Sequence, residues 1–164
     1  MEDDKSDIKA EYFQEIGVPR VTVRGICKHQ GNIFVEYATD QVEMDRIYSL
    51  PGGAIKWGER SRDALRREFK EEFNMDVSVG RFLLVIENKF GTSKGRIHNV
   101  ELVFELTTQS SEFDLMVPGL AGRWLDLNGI DKYNLKPDEL REALFTQSLN
   151  RRKHLIAGDM KLVR

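Results

Sequence analysis

One short segment, residues 61–75, places three glutamates on the same side of a predicted helix. Glu68, Glu71 and Glu72 stand three and four residues apart, so at about 100° of rotation per residue they share one face. Each like-charge pair at this spacing costs about 0.2–0.5 kcal/mol unless a positive group lies between the carboxylates. Hard divalent cations such as Mg²⁺ or Mn²⁺ bind carboxylate oxygens. The spacing therefore predicts a metal site built on one helix.

The helix itself has recognisable start and stop signals. We expect it to run from Ser61 to Phe73, with Ser61 as the N-cap and Asp63 adding favourable charge in the first turn. Asn74 suits the left-handed position that follows a helix. An apolar stripe for burial is supplied by Ala64, Leu65, Phe69 and Phe73.

Glycines precede this helix at a fixed distance. Gly52 and Gly53 follow a short strand-like segment, residues 46–49. Consecutive glycines allow a close backbone approach to a phosphate or a metal, so we expect both to lie at the substrate. A Glu- and Arg-rich helix is often only a solvated face. The added glycine loop favours a functional site, since a solvated helix does not need one.

Residues 53–75 resemble the signature box of the Nudix hydrolases, which reads Gly, five spacers, Glu, seven spacers, then Arg-Glu-apolar-x-Glu-Glu-x-Gly-apolar. One prescribed position differs, because Asn74 stands where the family has its second Gly. Asn also reaches the left-handed conformation at modest cost, so we expect the change to be tolerated. The matching polar and glycine positions are Gly53, Glu59, Arg67, Glu68, Glu71 and Glu72.

This resemblance implies an α/β fold, the Nudix α/β/α sandwich with a mixed central β-sheet. It also implies hydrolysis of a phosphoanhydride bond in a nucleoside diphosphate linked to a group X, such as a nucleotide sugar, ADP-ribose, a dinucleotide or a nucleoside triphosphate. Mg²⁺ or Mn²⁺ is the implied cofactor. By the same resemblance, Arg67 would brace Glu59, and the metal ligands would be Glu68, Glu71 and Glu72.

Many members of this family use a further acid outside the box. The loop before the last strand of the core, residues 117–122, contains none. Glu101 is our preferred candidate, although acids that alternate along a half-exposed strand are commonly solvent-facing. The other candidates are Glu105, Glu112 and Asp114.

Substrate contacts outside the box are less specific. We expect Arg96 and His98 to lie, with Lys89 and Lys94, in or beside a loop where cations could meet a phosphate. Loop cations are also commonly solvated. Trp57 and Phe90 are candidates for stacking on a base, and for Trp57 packing within its loop is the favoured interpretation.

Composition is consistent with a small soluble enzyme. The chain has 164 residues and a net charge of −2, so we expect one domain and no specific binding of nucleic acid. The single Cys27 suits a reducing compartment, and we expect it to be a buried apolar residue. The acidic N-terminus does not resemble a signal peptide, and apolar runs are too short for a membrane span. A cytoplasmic location and a small-molecule nucleotide substrate are expected.

The predicted organisation is a single Nudix domain over residues 1–164. Residues 1–20 form an N-terminal extension, helical over 8–16, residues 21–130 form the core with the box at 53–75, and residues 131–164 form a C-terminal helical segment. A helix begins at Pro137 and ends at Phe145, and the basic cluster at 151–154 is interpreted as a solvated helix face. Strands are predicted at 21–27, 32–37, 76–79, 82–87, 97–107 and 123–127, with a turn at Gln30-Gly31.

Two other functions remain open at this stage. The first is a module that senses a nucleotide without cleaving it, although such modules typically lose box carboxylates. The second is an isopentenyl-diphosphate isomerase of the same superfamily, which would need a catalytic Cys, and Cys27 is the only cysteine. A homodimer also stays open, because many relatives pair.

Overall fold

The computed structural model describes Phe13 and residues 16–92 and 95–158. These residues form a seven-stranded mixed sheet with helix α1, Ser61–Phe73, on one face and helix α2, Asp138–Phe145, on the other. This confirms the predicted α/β/α sandwich. The strands are β1 Arg20–His29, β2 Asn32–Ala38, β3 Gly52–Ala54, β4 Ser78–Thr92, β5 Gly95–Thr107, β6 Leu120–Asp126 and β7 His154–Ala157.

The strand order is β6-β2-β1-β5-β4-β7, and β3 pairs with β1. Strands β1 and β5 run parallel, as do β4 and β7, and the remaining pairs are antiparallel. Short 3₁₀ segments at Glu43–Asp45, Leu127–Lys132 and Leu149–Arg151 connect these elements.

A gap between β1 and β2 creates the place for the site. The two strands pair only beside their turn, where Gln30 and Gly31 both have positive φ, 47° and 80°. Farther along they separate, and residues 49–54 enter between them. Ser49 exchanges backbone hydrogen bonds with Glu36 at 2.9 and 3.0 Å, while Gly52–Ala54 pairs with β1. The predicted glycine loop is therefore partly a strand, because its backbone groups find partners on β1.

Each helix covers one hydrophobic cluster of the sheet. On the α1 side, Phe34 of β2 packs edge-on against Phe73 at 5.0 Å between ring centroids, and both are fully buried. On the α2 side, Leu140 packs with Ile26 and Val103 of the central strands. Side chains alternate between the two faces of a strand, so each residue of β1 and β5 can be assigned to one helix or the other.

Helix α1 has the predicted bounds but not the predicted N-cap. Arg60 is the N-cap, with no side-chain capping bond, and Ser61 already has helical geometry, so its hydroxyl is one residue too late to cap. The C-terminus is as predicted. Asn74 is left-handed, with φ 50° and ψ 31°, and its N–H donates to the carbonyl of Lys70 at 3.1 Å.

Two other parts of the chain differ from the sequence prediction. The strands predicted at 76–79 and 82–87 form one continuous β4, which shifts register between Val79 and Leu84 and thereby stays paired with β5. The basic cluster does not form a helix face: Arg151 ends a short 3₁₀ segment, and His154 begins β7, which joins the edge of the sheet by pairing with β4. The segment 131–164 thus contains a strand as well as a helix. The helix predicted over 8–16 falls almost entirely outside the described residues.

Candidate active site

Arg67 is the centre of a polar network that joins the middle of α1 to the loop before it. Its guanidinium forms a bidentate contact with Glu59, at 2.8 and 3.1 Å, and donates to Glu68 at 2.8 Å and Glu71 at 3.1 Å. A fifth bond, 3.1 Å, reaches the carbonyl of Ala54. The hydrogen bond with Glu59 raises the pKa of Arg67 and lowers the pKa of Glu59. Arg67 therefore links the loop, β3 and the helix.

Glu68 lies against the backbone of Gly53. A Cβ atom at position 53 would overlap the Glu68 carboxylate where it now lies, so a glycine allows this close approach without displacing the carboxylate. The Glu68 side chain is only 11% exposed. The close contact explains why a glycine at the start of the box and a glutamate 15 residues later belong to one site.

Glu72 is an acid with a strongly perturbed pKa. Burial, followed by the negative charges of Glu36 and Glu68, raises its pKa to about 9. Its Oε2 atom is buried and has no hydrogen-bond partner among the described residues. An unsatisfied buried carboxylate oxygen is costly, and it is the kind of atom that a bound cation would satisfy.

Arg24 and Glu36 were not identified from the sequence. Arg24 of β1 donates to Glu36 of β2 at 3.2 Å and to the carbonyls of Leu50 and Gly52 at 3.1 and 3.4 Å, so it spans the gap between the strands. Burial lowers the pKa of Arg24, but the surrounding carboxylates, chiefly Glu101 and Glu36, outweigh it and raise the pKa. Burial raises the pKa of Glu36 to about 7. The signal in the sequence that could have identified them is a charged residue within a mostly apolar stretch of a predicted strand, Arg24 in β1 and Glu36 in β2.

The donor set fits a hard divalent cation in its chemistry. The box supplies carboxylate oxygens, and Oε2 of Glu72 and of Glu36 are both buried without a partner among the described residues. As the side chains lie, Arg67 holds Glu68 and Glu71. Within residues 16–92 and 95–158, no three His, Cys, Asp or Glu side chains stand close enough together to hold a metal ion.

Glu101 is buried rather than solvent-facing. Only 5% of the residue is exposed, and its Oε1 accepts from the amides of Asn88 at 3.1 Å and Asn99 at 3.5 Å. Its Oε2 lies 4.0 Å from Nε of Arg24. The other candidate acids have different surroundings: Glu105 pairs with Arg81 at 3.2 Å, Asp114 accepts from Asn74 at 2.8 Å, and Glu112 is exposed.

Arg96 and His98 lie near the start of strand β5, opposite Gly91 and Lys89 of β4. Strand alternation points their side chains to the sheet face opposite that of Glu101. The structure therefore does not bring these two predicted substrate contacts to the cleft that Glu101 lines. Lys94 lies outside the described residues.

A cleft of about 1030 Å³ adjoins the box acids through Arg24, which lines the cleft and interacts electrostatically with Glu68 and Glu72. Its wall includes Arg24 and Glu101, the end of β4 with Asn88 and Phe90, and the start of α2. Trp57 does not line this cleft and is fully exposed, so the expectation that it packs within its loop is wrong: it extends from the surface into solvent.

Cys27 lies in the α1-side cluster and is fully buried. Burial raises its pKa to about 12, which favours the protonated, unreactive thiol. This placement confirms the expected buried apolar role and disfavours an isomerase that would use Cys27 in catalysis.

A family model described as the NUDIX domain matches residues 19–149, the range that contains the box, strands β1 to β6 and both helices. The chain belongs to the NUDIX domain family. This membership supports a pyrophosphohydrolase that acts on phosphorus-containing acid anhydrides. No curated protein sequence matches the chain significantly.

Solved structures share the Nudix fold with this chain. A MutT NUDIX hydrolase from Burkholderia pseudomallei is 25% identical with a TM-score of 0.53, over 67% of this chain and 84% of that one. A MutT protein from Methanosarcina mazei Go1 is 18% identical with a TM-score of 0.63, over 81% and 94%. An ADP-ribose pyrophosphatase from Streptococcus suis 89-1591 is 17% identical with a TM-score of 0.58, over 85% and 99%.

Among the residues that the structure describes, no helix of this Nudix protein combines the length and the apolar character that crossing a membrane would require.

Proposed function

We propose that this Nudix protein is a divalent-metal-dependent hydrolase that cleaves the phosphoanhydride bond of a nucleoside diphosphate linked to another group. The observation that carries the proposal is the arrangement of the box acids: Glu68 lies against Gly53, and Glu72 presents a buried, unpartnered carboxylate oxygen. Arg24, whose charge acts on Glu72, also lines the adjoining cleft.

In this proposal Glu68, Glu71 and Glu72 hold Mg²⁺ or Mn²⁺. The bound ion would lower the pKa of water, neutralise the bridging phosphates and align the attacking and leaving oxygens. Arg67 is a positioning residue, because its hydrogen bonds join Glu59 on the loop to the acids of α1. Anhydride hydrolysis depends mainly on such positioning and on charge stabilisation.

Glu101 is the proposed acid outside the box. Its carboxylate lines the cleft and is oriented by the amides of Asn88 and Asn99. From this position it can accept a proton from the attacking water or orient it by a hydrogen bond. Exchange of Glu101 for Gln should lower kcat more than it raises KM, because the amide keeps the shape but cannot accept the proton.

The proposed function is tested by phosphate-coupled hydrolysis with Mg²⁺ and then Mn²⁺. The substrate panel is ADP-ribose, dinucleoside polyphosphates, nucleotide sugars, reduced nicotinamide dinucleotide and nucleoside triphosphates. Glu72→Gln should reduce turnover at least about 100-fold while the protein stays folded, because Gln keeps the shape of the side chain and the change removes a metal-binding carboxylate rather than a packing group. Glu105→Gln, a carboxylate paired with Arg81 on the surface, is the matched control and should keep its activity.

Unaltered turnover in Glu72→Gln would refute the assignment of the site. Silence of the native protein across the panel, with nucleotide still bound, would instead indicate a sensing module.

A further inference from the structure

The cleft beside the box acids is large enough for a substantial part of a substrate. Its volume, about 1030 Å³, is at the upper end of the roughly 300–1,000 Å³ found for small-molecule sites. It extends from Glu101, near Arg24, to the first turn of α2 with Asp138 and Glu139. A group attached to phosphates at the box acids can therefore extend into this space.

Among the described residues that line the cleft, no charged side chain offers a free cation. Arg24 is already bound by Glu36 and by two backbone carbonyls, and Nζ of Lys136 lies 3.0 Å from both carboxylate oxygens of Asp138. The described lining residues include two cations, Arg24 and Lys136. They also include three acids, Glu101, Asp138 and Glu139. Phosphate is typically bound by cations and N–H donors that can turn toward it, so this wall disfavours a phosphate group.

The uncharged part of the lining suits a planar polar group. Phe90 is 38% exposed and Ile47 is 42% exposed, and both face the cleft. A nucleotide base stacks favourably on an exposed aromatic ring. Asn88 uses one N–H on Glu101, and an amide also carries a second N–H and an acceptor oxygen.

We propose that the cleft binds the uncharged base and ribose of the substrate and discriminates against a nucleoside that carries an additional phosphate. Phe90 provides the surface on which the base stacks. The negative charges of Glu139 and Glu101 repel an additional phosphate on the nucleoside. This inference rests on the proposed function, since it assumes that the substrate phosphates lie at the box acids. The substrate class that follows is a nucleoside diphosphate whose nucleoside has free ribose hydroxyls.

Direct binding tests the inference without turnover. Titration calorimetry with Mg²⁺ compares the binding of AMP with that of adenosine 2′,5′-bisphosphate, and the same comparison is made with the two uridine nucleotides. The salt concentration is about 0.15 M, so that charges more than about 8 Å from the ligand are largely screened. In the native protein the monophosphate should bind at least about 10-fold tighter than the bisphosphate. Glu139→Lys should bring the two affinities within about 3-fold, and Glu139→Gln should give an intermediate ratio.

Matched variants separate this role from a general charge effect. Glu142→Lys makes the same charge change on an exposed part of α2 that does not line the cleft, so the native ratio should persist. Phe90→Ala should weaken monophosphate binding about 10-fold, whereas Trp57→Ala should leave it unchanged because Trp57 lies outside the cleft.

Equal affinity for both phosphorylation states in the native protein would overturn the inference, as would a loss of binding in Trp57→Ala but not in Phe90→Ala. Either result could occur in a protein that still hydrolyses a member of the substrate panel. The hydrolase proposal and this inference therefore fail separately.

Discussion

Replacement of Arg67 by Met tests whether the network around this side chain holds the site together. Arg67 is 18% exposed and makes five hydrogen bonds, four of them to carboxylates. The change leaves Glu59 and Glu68, 17% and 11% exposed, without this cation. Breaking a buried ion pair costs about 3–5 kcal/mol, and a hydrogen bond to a charged group contributes about 1.5–3. Because the network retains some solvent access, we expect a loss of about 2–4 kcal/mol in the free energy of unfolding.

The assay is urea unfolding in EDTA, followed by circular dichroism, with the free energy taken from the midpoint at constant m. The adjacent Arg66 is the control. It is 49% exposed and pairs with Asp63, which is 62% exposed, so Arg66→Met should cost less than about 1 kcal/mol. A double-mutant cycle of Arg67→Met with Glu59→Gln should give a coupling energy of about 1–3 kcal/mol. A loss at Arg67 no larger than at Arg66, or a coupling energy near zero, would refute the reasoning.

Three further predictions concern single positions. Gly53→Ala should lower the free energy of unfolding by about 1–3 kcal/mol, because the added Cβ meets the Glu68 carboxylate. A Cβ at Gly91 meets no atom within 4 Å, so Gly91→Ala should change the free energy of unfolding by less than about 0.5 kcal/mol. Equal effects of the two changes in urea unfolding would contradict this prediction. Asn74→Ala should cost about 1 kcal/mol at the left-handed C-terminus of α1, and Asn74→Gly should lower the melting temperature less, if at all. Cys27 has a pKa raised to about 12, so at pH 8 it stays a thiol and should react with a disulfide reagent only after unfolding; rapid labelling of the native protein would show that it is accessible.

The sequence determined the parts of the site that depend on local geometry. The bounds of α1, the shared face of Glu68, Glu71 and Glu72, and the left-handed Asn74 follow from helical periodicity and from backbone preferences within about 15 residues. The contact between Arg67 and Glu59 spans eight residues and came from the family pattern. In each case the interacting groups lie close together along the chain, so their spacing alone carries the information.

The tertiary structure decided the rest, because it depends on strand pairing between distant segments. Arg24 reaches Glu36 only because β1 and β2 separate and residues 49–54 fill the gap. Glu101 is buried because the neighbouring strands supply Asn88 and Arg24, which no alternation pattern within β5 could show. Strand β7 is four residues long and obtains its hydrogen bonds from β4, about 70 residues earlier in the chain. Such pairings have no local sequence signal, since the partner that stabilises each one comes from elsewhere in the fold.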